Sequence, residues 1–118
     1  MAETPEEIRN TLAHFTGTEN YYKHLLGLKL TDGALYVAEA CGAFWLMDII
    51  ASCKYVDAVA KEVFQVYKLT VNNGKGIVTV EDGNDNELYR QEIQTTDFPL
   101  DEITLWVSDN IILLPSEY

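Results

Sequence analysis

The sequence predicts an α+β fold in which N-terminal helices pack on a C-terminal antiparallel meander of about five strands. Two observations carry this. As far as Glu62 the apolar residues recur at helical spacing, and from Val63 the period falls to two, with β-branched and aromatic residues prominent. Turn signals then divide the second half: Asn73-Gly74, Asp82-Gly83-Asn84-Asp85-Asn86 and Asp109-Asn110. With 118 residues, 47 % of them apolar, the chain suits one domain, residues 1–118, mainly helical over 1–62 and mainly β over 63–118.

The first helix is expected over Thr4–Phe15. Thr4 is placed to cap it, Pro5 fits the first helical position and Glu7 completes a capping box. Ile8, Leu12 and Phe15 would form its inner face. Residues 16–20 read as a loop, and Tyr21, Tyr22, Leu25, Leu26 and Leu28 as apolar surface around a short helical turn. Thr31-Asp32-Gly33 marks the next helix start. The apolar segment beyond it is one buried helix or two broken at Gly42. Lys54–Glu62 closes the helical half, with Asp57 as a candidate cap. Strands are expected at Val63–Val71, Ile77–Glu81, Glu87–Gln94, Ile103–Ser108 and Ile111–Leu114, with Thr95–Asp101 a longer connection around Pro99. In the core, Phe64 and Trp106 would meet Phe44, Trp45 and Ile49.

Gly33–Cys53 is 21 residues long with only Glu39 and Asp48 charged, a length that could span a bilayer. Each carboxylate near the centre of a span would cost about 2.5–3.5 kcal/mol, so the segment reads as core. Glu39 and Asp48 are nine residues apart. On a straight helix that is about 900° of rotation, so they would face opposite sides. The acidic start of the chain predicts no secretory leader, and Cys41 and Cys53, both in apolar stretches, read as reduced buried thiols of a cytoplasmic protein.

No constellation predicts catalysis, a metal or a cofactor. His14 and His24 lack zinc-ligand spacing with Cys41 or Cys53, and Ser52, Ser108 and Ser116 sit in no nucleophile elbow. Residues 82–87 offer oxygens at alternate positions, but Gly83 stands second rather than sixth and Glu87 comes too early for a calcium loop. The glycines are dispersed, and the aromatic residues read mostly as core.

Charge is more informative. The chain has 19 acidic and 8 basic residues, a net charge of −11, which argues against direct contact with nucleic acid or anionic membrane. Residues 1–80 carry 9 acids and 7 bases, whereas residues 81–118 carry 10 acids against Arg90 alone. The excess therefore belongs to the expected sheet, at turns and strand ends where most of it would be exposed.

Several strings stand out together: residues 15–22 (FTGTENYY), Thr31-Asp32-Gly33 with Ala38-Glu39, and Phe44-Trp45-Leu46 with Asp48. To these are added residues 88–93 (LYRQEI), Thr96-Asp97-Phe98-Pro99-Leu100 and the end, residues 113–118 (LLPSEY). With them the chain resembles, from Phe15 onward, an uncharacterised family of small acidic bacterial proteins often carried by phages and plasmids. The resemblance implies no activity and no catalytic residue. Its mobile-element setting implies a counter-defence role of anti-CRISPR or anti-restriction type.

The residues support three readings. In the first, the chain is a non-enzymatic inhibitor or adaptor whose carboxylates imitate phosphates and occupy the basic groove of a nucleic-acid-binding protein. Its contacts would be Glu81, Asp82, Asp85, Glu87, Asp97, Asp101 and Glu102. In the second, a ligand-binding or catalytic pocket lies between helices and sheet, with Glu39, Asp48, His24 or Tyr22 as its polar groups and the two carboxyls as candidates for perturbed pKa values. In the third, the apolar helices join a homodimer.

Overall fold

A computed structural model describes residues 3–118, so Met1 and Ala2, part of the acidic N-terminal stretch, lie outside the described residues. Helix α1 (Pro5–Leu12) forms where its capping box predicts. Glu7 N–H donates to Thr4 Oγ1 (3.2 Å) and Thr4 N–H to Glu7 Oε1 (3.0 Å). Ile8 is fully buried, and Leu12 and Phe15 pack against the core beside it.

Residues 16–20 are a loop, but the apolar stretch after them folds as a small hairpin. Strand β1 (Tyr21–Lys23) pairs antiparallel with β2 (Lys29–Thr31), Tyr21 opposite Thr31, around a 3-10 turn at Leu25–Gly27. The turn was expected, and the strands were not. Three-residue strands are too short to show alternation, and what holds β2 is its parallel pairing to a strand about 80 residues later in the chain.

The apolar segment is two helices, α2 (Asp32–Ala40) and α3 (Phe44–Ser52), broken at Gly42, whose φ is +60°. Thr31 caps α2, its Oγ1 accepting from Ala34 N–H at 3.2 Å. Among the described residues no helix is long and apolar enough to cross a membrane. Helix α4 (Asp57–Ala60) comes after a 3-10 turn at Cys53–Tyr55, with Val56 rather than Asp57 at its N-cap.

The five strands of the second half are β3 (Phe64–Asn72), β4 (Lys75–Glu81), β5 (Glu87–Ile93), β6 (Glu102–Ser108) and β7 (Ile111–Leu113). Asn73-Gly74 and Asp109-Asn110 are two-residue hairpin turns with both residues at positive φ, which is why Asn, Asp and Gly occupy them. The sheet has seven strands in the order β1-β2-β7-β6-β3-β4-β5. It is not a simple meander: β6 lies beside β3, not β5. The connecting segment 94–101 crosses the end of the β3–β4 hairpin, where Thr96 N–H donates to the Gly74 carbonyl and Val71 N–H to that of Asp101. It buries Phe98 and Leu100, and Phe98 sets its ring edge-to-face with Trp45. That burial holds the crossing in place.

Strand alternation divides the sheet into two faces. Tyr67, Leu69, Val78, Val80, Ile103, Leu105, Val107, Ile112 and Leu30 are buried against the helices. The other face carries Phe64, Val66, Lys68, Trp106, Thr104, Thr79, Ile77, Arg90 and Leu113. Phe64 and Trp106 therefore do not meet Phe44 and Ile49 in the core as expected. They occupy even-numbered positions of β3 and β6, one residue out of phase with the buried set of those strands, while Phe44 is 45 % exposed.

Candidate functional site

The chain's C-terminal turn builds the most distinctive surface. After β7, a 3-10 turn (Pro115–Glu117) folds onto the sheet face opposite the helices. It is held there by a buried carboxylate. Glu117 Oε1 accepts from Thr31 Oγ1 (2.6 Å) and Leu114 N–H (2.9 Å), and Oε2 from Gly33 N–H (3.0 Å). All its partners are donors, two of them at the start of α2, where free N–H groups and the helix dipole favour an anion. Gly33 leaves the room: a Cβ there would lie 2.5 Å from Glu117 Oε1 and 2.6 Å from Leu114 Cδ1. Glu117, one of the acids of the second half, where exposure was the general expectation, is thus buried. The spacing of 84–86 residues between the partners leaves no local signal of it.

This anchor places Tyr118 over the sheet. Phe64, Trp106 and Tyr118 form a three-ring cluster with centroids 5.3, 5.4 and 6.3 Å apart and interplanar angles of 69–74°. Edge-to-face contacts of this kind are each worth about 0.5–1.5 kcal/mol beyond burial. Tyr118 nevertheless remains 78 % exposed. Beside it, Tyr21, Ile111, Leu113 and Asp109 line a shallow groove of about 220 Å³ between β1 and Tyr118. Phe64 and Trp106, read from sequence as core, are therefore half-buried on the sheet face away from the helices.

The seven predicted contact residues divide between the two ends of the sheet. Glu81, Asp82, Asp85 and Glu87 lie at the β4–β5 connection, the end that holds Phe64. Asp97, Asp101 and Glu102 lie at the opposite end, beside the Asn73-Gly74 turn. A strand of this length separates them by about 20 Å, so the structure does not bring the seven together. The first group borders the aromatic cluster: Gly83, at φ +90°, comes so close to Phe64 that a Cβ would lie 3.0 Å from its ring.

Several of these charges already have partners. Glu81 Oε1 lies 3.4 Å from Lys68 Nζ, and Glu87 Oε1 accepts from Arg90 at 2.8 Å, which holds the Glu87 carboxyl below its usual range. Asp82 accepts from the Asn86 side chain and from Asn84 N–H, and its carboxyl is held low by those bonds. It thereby serves the turn reading of residues 82–86. Asp82 and Glu87 accordingly stay ionised at neutral pH.

The four polar residues of the pocket reading are not brought together. Glu39 is exposed at the end of α2, beside Glu3 and Asp97 around a shallow depression. Asp48 is exposed on α3, where its Oδ1 lies 3.0 Å from His24 Nε2 without in-line hydrogen-bond geometry. Tyr22 donates to Asp32 Oδ1 (2.9 Å), which raises its own pKa and contributes to lowering that of Asp32. The cavity between α3, α4 and the β6–β7 turn, about 280 Å³, is lined instead by Ile50, Lys54, Lys61, Gln65 and Asp109. Cys41 and Cys53 are free, buried thiols. Burial pushes Cys41 up to about 11 and Cys53 also upward, so neither is a ready nucleophile.

Residues 6–118 match the model of a family of unknown function (DUF6876), and the chain belongs to that family. No curated protein and no solved structure matches it.

Proposed function

We propose that the chain is a non-enzymatic interaction protein that docks on a basic, nucleic-acid-binding protein surface and competes there with nucleic acid. The observation that carries this reading is the pairing of an exposed Tyr118, stacked on the half-buried Phe64 and Trp106, with the acidic β4–β5 connection at one end of the sheet face away from the helices. Protein interfaces favour aromatic anchors within a polar rim. Rings of this kind accept arginine guanidinium groups on their faces, and the neighbouring carboxylates attract the same groups at longer range. An inhibitor of a nucleic-acid-guided or nucleic-acid-cleaving defence complex is one protein of this class.

The test is affinity capture of a partner from nuclease-treated lysate of the source organism, using immobilised wild type, Tyr118→Ala and the triple variant Glu81→Lys/Asp85→Lys/Glu87→Lys. The expected result is a basic nucleic-acid-binding protein, released by salt and by added nucleic acid. Both variants should retain it at least about tenfold less, because anchor residues carry most of an interface's energy and paired charges govern its steering. A captured partner indifferent to added nucleic acid and to both variants overturns the reading.

A further inference from the structure

Strand β5 lies at the end of the sheet order, with β4 on one side only. The hydrogen bonds around it show which of its backbone groups are free. The two-residue turn at Asn73-Gly74 closes on the Asn72–Lys75 pair, so the odd-numbered residues of β4 bond to β3 and the even-numbered ones turn their backbone groups toward β5. Gly76, Val78 and Val80 stand opposite Ile93, Gln91 and Tyr89, and these three residues of β5 therefore bond inward. Arg90 and Glu92, which alternate with them, direct N–H and C=O away from the sheet, whereas a bulge opposite Val80 and Glu81 leaves Leu88 without a partner in β4. Among the described residues no second strand pairs with β5 on that side.

A strand added at this edge would have to bond through Arg90 and Glu92, and a second copy of β5 can do so. Antiparallel pairing sets same-face residues opposite one another. With Gln91 of both copies on the twofold axis, Arg90 of each chain faces Glu92 of the other, and Tyr89 faces Ile93 on the helix side of the sheet. The neighbouring registers are worse. An axis at Arg90 sets two arginines in opposition, and an axis at Tyr89 sets Arg90 against Leu88. Opposite charges and aromatic–β-branched pairs across strands are stabilising, and like charges are not. Arg90 and Glu92 are both exposed and lie on the same face, so the side chains are available for the reciprocal pairs. The Arg90–Glu87 contact within the chain has a side-chain exposure of 53 % at Arg90, which leaves room for a second carboxylate.

We propose that this chain forms a twofold homodimer by antiparallel pairing of β5 with the β5 of a second copy, centred on Gln91 and selected by reciprocal Arg90–Glu92 pairs. Two seven-stranded sheets then become one. The dimer uses a backbone edge rather than the aromatic cluster, meeting the acidic group only at Glu87, which pairs with Arg90, and it differs from one joined through apolar helices, since α2 and α3 use most of their apolar side chains in the chain's own core. A free edge is the kind of feature natural proteins cover or pair.

Sedimentation equilibrium from micromolar to millimolar chain tests it, at physiological salt to screen the repulsion between two chains of net charge −11. Wild type is expected to reach a dimer. R90E sets glutamate against glutamate and E92R sets arginine against arginine. Each changes two reciprocal pairs at once and should raise the dissociation constant about tenfold or more. Mixing the two single variants should form a heterodimer, because the carboxylates at positions 90 and 92 of one chain then face the guanidinium groups at positions 92 and 90 of the other. The double variant R90E/E92R should dimerise with itself. A monomeric wild type across the whole range overturns the proposal. So do single variants that dimerise like wild type, or a mixture that gains nothing over its components.

Discussion

Replacing Glu117 by alanine should be the most damaging single change at the C-terminal turn. The carboxylate accepts from three groups, Thr31 Oγ1, Leu114 N–H and Gly33 N–H, and the site is buried. Truncation leaves two backbone donors without an acceptor. At about 1–2 kcal/mol for each buried unsatisfied donor, the loss is about 2–4 kcal/mol. A domain of this size loses about 4 °C of midpoint per kcal/mol, so thermal unfolding should shift down by about 8–16 °C. Glu117→Gln keeps the shape and the doubly bonded oxygen but turns an amide donor toward Gly33 N–H. It should cost about half as much. Gly33→Ala supplies the cross-check. Its Cβ collides with the Glu117 carboxylate, so the two substitutions should be non-additive by about 1 kcal/mol or more, with the glycine change milder once Glu117 is alanine. Near-ultraviolet circular dichroism should change as well, because Tyr118 loses its place against Trp106. A midpoint shift under about 2 °C for Glu117→Ala, with an intact native spectrum, would refute the claim that this carboxylate fastens the turn.

Acid sensitivity and thiol reactivity supply two further tests. Asp32 (held low by Glu19 N–H and the Tyr22 hydroxyl) and Asp82 (by the Asn86 side chain and Asn84 N–H) sit below an ordinary value of 3.8, and Glu87, beside Arg90, below 4.5. A carboxyl with a depressed folded pKa adds stability that is complete above its unfolded value and is lost as pH falls through its folded value. The contribution of these three should therefore be level at neutral pH and decline below about pH 4. Urea midpoints against pH check this, with Asp32→Asn expected to flatten the acid limb and an unchanged limb counting against the assignment. Cys41 and Cys53, 5 % and 1 % exposed and pushed upward by burial, should both resist a thiol reagent in the folded protein and react on unfolding in urea. Rapid labelling of either in the native state would contradict their placement.

Much of the local structure was legible because its cause is local. A capping box acts within one turn, so Thr4 and Glu7 announce α1. Positive φ is easiest for Gly, Asn and Asp, so Asn73-Gly74 and Asp109-Asn110 could be read directly, whereas Gly42 offered a break that the sequence left open beside a single helix. The acidity of the second half was equally plain. Its distribution was not, because seven carboxylates that are neighbours in composition lie at two ends of a sheet whose strand order the sequence does not state. The aromatic cluster was missed for a related reason. Alternation shows that a strand has two faces, but not which face the helices cover when both carry apolar residues, as β3 and β6 do.

The amino-acid sequence by itself determined that this chain is α+β, where its longer helices and strands lie, which turns reverse it, and that its acidity belongs to its second half. Those features rest on interactions between residues a few positions apart. Only the tertiary structure decided the strand order, the recruitment of β1 and β2 into the sheet, and the burial of Glu117 against Thr31 and Gly33. It also decided that Phe64, Trp106 and Tyr118 stand on the sheet face away from the helices. Each of these joins segments far apart in the chain. Short strands and a buried carboxylate are stable only when the distant partner is already in place, and no local pattern names that partner.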